Sequence, residues 1–327
     1  MIVLLLSCAS PPTPAPAETP DPSPGPPAPT PIRVHVTVDD LPWQIERDQT
    51  MLLTAGQTRT WNDRLRAVFD SRGVKASVFF TCSRLQEDGL VAAWAEAGHT
   101  VGNHTAHHVP AKGVGVDAFL ADARECQDRL LQEVDSVPWF RYPYLGYGRD
   151  RADQDRIRDG LAAMGLTNAP VTVPDAEYVF AFQYRHALAD GDVPRQEALA
   201  AAYRTHMDDA LAAAVDLAVH VEGHDIPQTV LVHVNELNVH HLGGILDTWK
   251  ARGVELVSLP DAMADPVFQR PPTRDDDGAV AWVVRSHPGE FTDWDRYWFG
   301  EEEGRVRRTW GFDEPEGGWH RGVPPEP

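Results

Sequence analysis

Between residues 32 and 259, short β-branched, apolar runs alternate with longer amphipathic stretches, and this alternation constrains the fold more than any other feature. IRVHVTV (32–38), VKASVFF (74–80), HTVGNH (99–104), WFRYP (139–143), LTNAPVTV (166–173), TVLVHV (229–234) and VELVSL (254–259) read as strands. The stretches 58–72, 84–97, 115–134, 149–164, the Ala-rich 196–221 and 239–252 read as helices, several of them stopped by a glycine such as Gly98, Gly165 or Gly253. Such alternation implies an α/β domain with a parallel sheet, either closed as a barrel or doubly wound. Both architectures put chemistry at the carboxyl ends of the strands.

The flanks differ in kind. MIVLLLSCAS is too short to span a bilayer, and its Leu5-Leu6-Ser7-Cys8 segment resembles the lipobox of bacterial lipoproteins, although no positively charged segment precedes it. Residues 11–31 hold eleven prolines and no aromatic residue, so 9–31 reads as a semi-rigid spacer. The expectation is an exported, cell-envelope lipoprotein that meets a membrane only through lipid on Cys8. With 49 acidic against 29 basic residues and a net charge of −20, nucleic acid is excluded as a partner. Cys82 and Cys126 are left to pair or to stay as buried thiols. Residues 267–327 are charged, Gly/Pro-rich and hold five of the ten tryptophans (282, 294, 298, 310, 319). They are expected to pack those rings on the domain exterior rather than offer them to sugars.

The chemistry-bearing residues cluster at strand ends. The first strand ends in Asp39-Asp40, a carboxylate pair that is tolerable where a cation or a proton is shared. GNHTAHH (102–108) places His104 and His108 four apart, on one face if a helical turn carries them. Two histidines and one carboxylate form the ligand set of a hydrolytic zinc site with an open position. Arg141 follows another strand and suits the bidentate holding of a carboxylate. His233 is delivered to a strand end by the apolar run before it.

In this order, Thr-x-Asp-Asp (37–40), His-Thr-x-x-His (104–108), Arg-x-Pro-Tyr (141–144) and Leu-x-His (231–233) resemble the polysaccharide deacetylase family, carbohydrate esterase family four, which includes the nodulation-type chitooligosaccharide deacetylases. The resemblance spans about 32–260. It implies a distorted (β/α) barrel of about seven parallel strands and one divalent metal, Zn2+ in the first place. It also implies hydrolysis of N- or O-acetyl groups on a cell-surface or extracellular glycan. Asp40, His104 and His108 match the metal ligands, and His107 falls between two of them, facing solvent or supporting the ligands from behind. Asp39 matches the base, Arg141 the residue that orients it, and His233 the acid. Tyr144 offers a backbone N–H to the oxyanion, Thr105 steadies the histidine turn, and Leu231 belongs to the substrate pocket.

The resemblance weakens at the fourth motif, Asp-x-x-Asp-Trp in the family. Pro174-Asp175-Ala176-Glu177-Tyr178 stands there instead. Glu177 is expected to partner His233, with Asp175 as a substitute, and Tyr178 to replace the Trp that walls the acetyl pocket. The fifth motif continues as Val234-Asn235. About 50 residues separate Tyr178 from the last catalytic strand, enough for the Ala-rich helix to wall the substrate groove. Two other readings stay open: a metal hydrolase of a small non-sugar amide on the same fold, and a catalytically impaired carbohydrate-binding lipoprotein.

Overall fold

The structure, a computed structural model, describes residues 31–44, 53–174 and 176–272 together with Trp282 and Thr309. Cys8, the proline-rich spacer up to residue 30, Asp175 and Trp294, Trp298, Trp310 and Trp319 lie outside the described residues.

Seven strands build one sheet: β1 (Arg33–Leu41), β2 (Ser77–Phe80), β3 (Thr100–Asn103), β4 (Trp139–Phe140), β5 (Thr167–Asn168), β6 (Gln228–His233) and β7 (Glu255–Leu256). Every pairing is parallel, in the order β5-β4-β3-β2-β1-β6, with β7 added beside the first residues of β1. The expected run 166–173 splits in two, for a physical reason: Pro170 has no N–H to continue a ladder. Beyond it, Thr172 and Val173 both donate to Thr229 O, at 3.1 Å, and Val173 bridges Val230 on β6. The chain from β5 thus reaches the far edge strand, which bends the sheet round into a distorted barrel. This is the distorted (β/α) barrel that the sequence leads one to expect.

The helices are α1 (Ala55–Asp70), α2 (Leu90–Glu96), α3 (Ala111–Val114), α4 (Val116–Leu130), α5 (Arg151–Ala163), α6 (Glu177–Ala189), α7 (Val193–Glu222), α8 (Glu236–Ala251) and α9 (Leu259–Ala262). The start of α1 is set by a capping box between Thr54 and Gln57. Its Trp61, Leu65 and Phe69, one turn apart, are fully buried. Burial of each such side chain stabilises the fold by about 1.5–3 kcal/mol. Leu242, Ile245, Leu246 and Trp249 do the same on α8.

Three expectations change. The helix expected over 84–97 begins only at Leu90, because Gly89 takes a left-handed φ of 86° and Cys82–Arg84 form a separate 3-10 turn. The long connection before β6 holds two helices, α6 and α7, where the sequence suggested one. The longer, α7, packs on α6, α8 and β6 as a covering layer, so the element that meets the catalytic strand ends is the first turn of α6. Trp282 packs as expected: it is 3% exposed, its N–H donates to Val171 O and its Nε1 to Val267 O.

Candidate active site

The carboxyl ends of β1, β3, β4 and β6 converge. Thr37 and Asp39, two apart on β1, point the same way, while Asp40 takes φ 65° and turns its carboxylate toward the end of β3. Five non-glycine residues among those described have a left-handed φ: Asp40, Thr105, His108, Tyr144 and Leu145. Asp40 lies near the end of β1 and the other four on the segments that follow β3 and β4, and each costs about 1–3 kcal/mol that its surroundings must offset.

Asp40, His104 and His108 each offer a ligand atom within 4.8 Å of the others. His108 Nε2 stands 3.4 Å and His104 Nε2 3.9 Å from Asp40 Oδ1. The rings do not reach this geometry from a helical turn, as their spacing suggested. Residues 104–110 are irregular, and the left-handed Thr105 and His108 aim the two imidazoles. Thr105 steadies that turn: its N–H donates to Asn103 Oδ1 and its Oγ1 accepts from His108 N, at 2.8 and 3.0 Å. His104 Nδ1 donates to Arg141 O at 2.8 Å, which leaves the Nε2 lone pair facing Asp40.

Whether this cage suits a cation can be judged from its unmet needs. Asp40 Oδ1 and Asp39 Oδ1 are buried and accept no hydrogen bond, a deficit of about 1–3 kcal/mol each. Burial raises the Asp40 pKa, but the neighbouring His108, Arg84, His233 and His104 outweigh it and hold the group well below the usual carboxylate range. Burial also lowers both His104 and His108, keeping them neutral. An ionised carboxylate and two neutral imidazoles are what a divalent metal requires. The residues fit.

Asp39 sits beside this cage, its Oδ2 at 3.3 Å from Arg141 Nη1 and 3.9 Å from His104 Nε2. Burial, partly opposed by Arg141, raises its pKa to about 6. Arg141, 1% exposed, is itself pinned: Nε donates to Ala169 O and Nη2 to Thr37 Oγ1. Across the ladder Asp39 is the register partner of His233, so the two lie side by side on neighbouring strand ends. His233 Nδ1 donates to Glu177 Oε2 at 2.8 Å. Burial lowers the His233 pKa, but the Glu177 hydrogen bond and charge prevail, lifting it to about 9.

The altered fourth and fifth motifs meet at Glu177. It is fully buried in the first turn of α6, and its Oε1 accepts from Asn235 Nδ2 and Asn238 Nδ2, both at 2.6 Å. Asn238 also donates to His233 O and accepts from Tyr203 on α7. The Tyr178 ring stands edge-on to His233, with centroids 6.4 Å apart. Tyr144, 57% exposed, lays its ring 4.5 Å from that of His108. Leu231 is half-buried, two residues before His233 on the same strand face. His107 is half-exposed and bonded to Asp122, outside the cage.

Sequence reasoning missed Asn235, Asn238 and Arg84. Arg84 Nη1 lies 3.2 Å from Asp40 Oδ1 and donates to Trp43 O. Only its charge, among 26 dispersed arginines, could have drawn notice. The asparagines carry a local signal: Asn235 is the N-cap of α8, and a cap so close after a catalytic strand end is a natural place for a supporting group.

Residues 28–168 match the family model described as polysaccharide deacetylase. No curated protein matches the chain. Among solved structures, the chitin deacetylase from the fungal pathogen Colletotrichum lindemuthianum is 20% identical, over 72% of this chain and 88% of its own, with a TM-score of 0.52. A family 4 carbohydrate esterase from Streptomyces lividans in complex with acetate is 19% identical, over 70% and 95%, with a TM-score of 0.45. A CE4 family pseudoenzyme from Bacillus anthracis is 13% identical, over 72% and 66%, also at 0.45.

Proposed function

We propose, for a chain whose residues 28–168 match the polysaccharide deacetylase family model, a metal-dependent hydrolase that removes N- or O-acetyl groups from a cell-surface or extracellular glycan. The convergence of Asp40, His104 and His108 beside Asp39 and His233 carries this reading.

Asp40, His104 and His108 would hold the metal, Zn2+ by its donor set. A divalent cation there supplies Lewis acidity, which makes water more acidic and polarises a carbonyl. Asp39 takes the proton of the attacking water, and Arg141, anchored to Ala169 O and Thr37, keeps its carboxylate aimed. A base pushed up to about 6 stays ionised at neutral pH yet accepts a proton more readily than an ordinary Asp. The Tyr144 N–H is the oxyanion donor. His233, protonated up to about pH 9 through Glu177, delivers its proton to the departing amine or alkoxide. Tyr178 and Leu231 form the acetyl pocket around it.

The protein is exported and held to the envelope by lipid on Cys8. A disulfide between Cys82 and Cys126 supports an oxidising compartment.

Acetate release from N-acetylated and O-acetylated glycans, with Asp39→Asn in parallel, tests the proposal. We expect release from at least one class and a loss of about 10³-fold or more in Asp39→Asn, with one Zn2+ still bound per chain. Full activity in that variant, or no release from any acetylated glycan by a Zn2+-loaded wild type, would sink it.

A further inference from the structure

The turn that carries His104 and His108 is held from two sides. On one side the segment after β2 donates to it: Cys82 N to Thr105 O at 3.1 Å and Ser83 N to Ala106 O at 2.9 Å. On the other, α4 grips the same few residues. Asp122 O accepts from Ala106 N, and its carboxylate accepts from His107 N at 3.1 Å and from His107 Nδ1 at 2.6 Å. Ala123 O accepts from Asn103 Nδ2 at 2.8 Å.

These two supports come from elements 44 residues apart in the chain, and they are joined covalently. Cys82, which grips the turn from one side, is disulfide-bonded to Cys126, one helical turn after Asp122 on α4. Both cysteines are buried. The bond therefore closes a ring around the histidine turn: segment 82–83, turn 103–107, α4, and back.

Backbone strain gives that ring a purpose. Thr105 and His108 sit at φ 64° and 54°, conformations that side chains other than glycine rarely adopt. Without external anchors the turn would relax toward ordinary φ values, and the two Nε2 atoms would move apart. A cation site tolerates displacements of a few tenths of an ångström before affinity falls.

We propose that Cys82, Cys126 and Asp122 form a disulfide-closed clamp that positions the His104 and His108 imidazoles and thereby sets metal affinity, so that opening the disulfide weakens metal binding. This rests on the metal reading above. By linkage, a bound metal protects the disulfide from reduction to the same degree.

The test is Zn2+ affinity of the full chain at pH 7.5, measured by competition with a chromophoric chelator. Three proteins are compared: wild type, Cys82→Ala/Cys126→Ala, and Asp122→Ala. Alanine avoids free thiols, which would themselves bind zinc, and it suits the helix at position 122. The double variant should bind about 10–100-fold more weakly and Asp122→Ala about tenfold more weakly, the usual range for groups behind metal ligands. Thermal unfolding should stay cooperative, which separates a loosened turn from a lost fold. Affinities within threefold of wild type in both folded variants overturn the clamp, and an unchanged double variant alone overturns the role of the disulfide. If the double variant does not fold, Asp122→Ala decides. A wild type that binds no Zn2+ overturns the metal reading itself, a result distinct from failure of the clamp.

Discussion

The two halves of the site face each other across β1 and β6, and they are built on opposite principles. The acid half is self-sufficient. His233, Glu177, Asn235, Asn238 and Tyr203 meet one another's hydrogen-bonding needs from three helices and a strand. The metal half is incomplete on its own terms: two buried carboxylate oxygens without donors, two neutral imidazoles aimed at one of them, and left-handed backbone at Asp40, Thr105 and His108. A satisfied network holds a proton in place, whereas an unsatisfied one selects for a ligand that can meet four or more lone pairs at once.

The largest effect should come from removing the charge that the incomplete half presents. Asp40→Asn keeps the shape and, because Asn accepts a left-handed φ, keeps the backbone as well. It removes the only ionised ligand of the three. Zn2+ affinity should fall by about 10³-fold or more, while thermal stability without metal should also fall at neutral pH, since the low Asp40 pKa marks a carboxylate whose charge its surroundings stabilise. A variant that still binds Zn2+ like wild type would show that the cage lies elsewhere.

The acid half should respond in the opposite way: its perturbation should move a titration and leave metal binding intact. Glu177→Gln removes the charge that lifts His233 from 6.5 to about 9. Wild-type activity should rise as Asp39 ionises near 6 and fall as His233 deprotonates near 9, with a bound cation drawing the acid limb to lower pH. In Glu177→Gln the basic limb should drop to about 6.5 or below, costing about tenfold at pH 7.5 and more above it. Stability should follow the same sign. The pair's contribution is fully present below the unfolded histidine value of 6.5 and is lost as pH rises through about 9. Wild type should therefore lose that contribution across 6.5–9 and the variant should not, as read by urea midpoints at several pH values. A basic limb that stays near 9 in Glu177→Gln would remove Glu177 as the partner.

This contrast also explains what the sequence made legible. Strand ends were readable because β-branched runs stop at polar pairs such as Asp39-Asp40, whereas alternation left a barrel and a doubly wound sheet equally open and only the family resemblance pointed to the barrel. The ligand set was readable because few residue types bind metals and their spacing is short. The helical turn assigned to His104 and His108 was wrong, because spacing of four is also satisfied by an irregular turn with two left-handed residues. Nothing in the residues Thr105 and His108 announces a positive φ. Glu177 was found by its position in a motif, but its helix was not. Residues 177–189 are apolar on nearly every face, being buried by α7 and α8 on both sides, so no amphipathic period marks them. Asn235 and Asn238 reach Glu177 across about 60 residues of chain, a contact that only the fold creates.

Arg84 is a fixed cation set against the metal half, and it gives the smallest and sharpest test. Its guanidinium lies 3.2 Å from Asp40 Oδ1, with both side chains about nine-tenths buried, yet that oxygen accepts no hydrogen bond. The geometry therefore makes Arg84 an electrostatic neighbour of the ligand rather than a support for its position; its directed bond goes to Trp43 O. A fixed positive charge so near the cage repels an incoming dication, and the low local dielectric weakens that repulsion less than bulk water would. Arg84→Gln should therefore tighten Zn2+ binding, by about tenfold at low salt, with the Trp43 contact still within reach of the Gln amide. The gain should shrink as ionic strength rises, because the site opens to solvent on the side of Tyr144. Weaker binding in Arg84→Gln would mean that the arginine holds Asp40 in place after all, and that the metal half draws part of its geometry from a counter-ion, as the acid half does from Glu177.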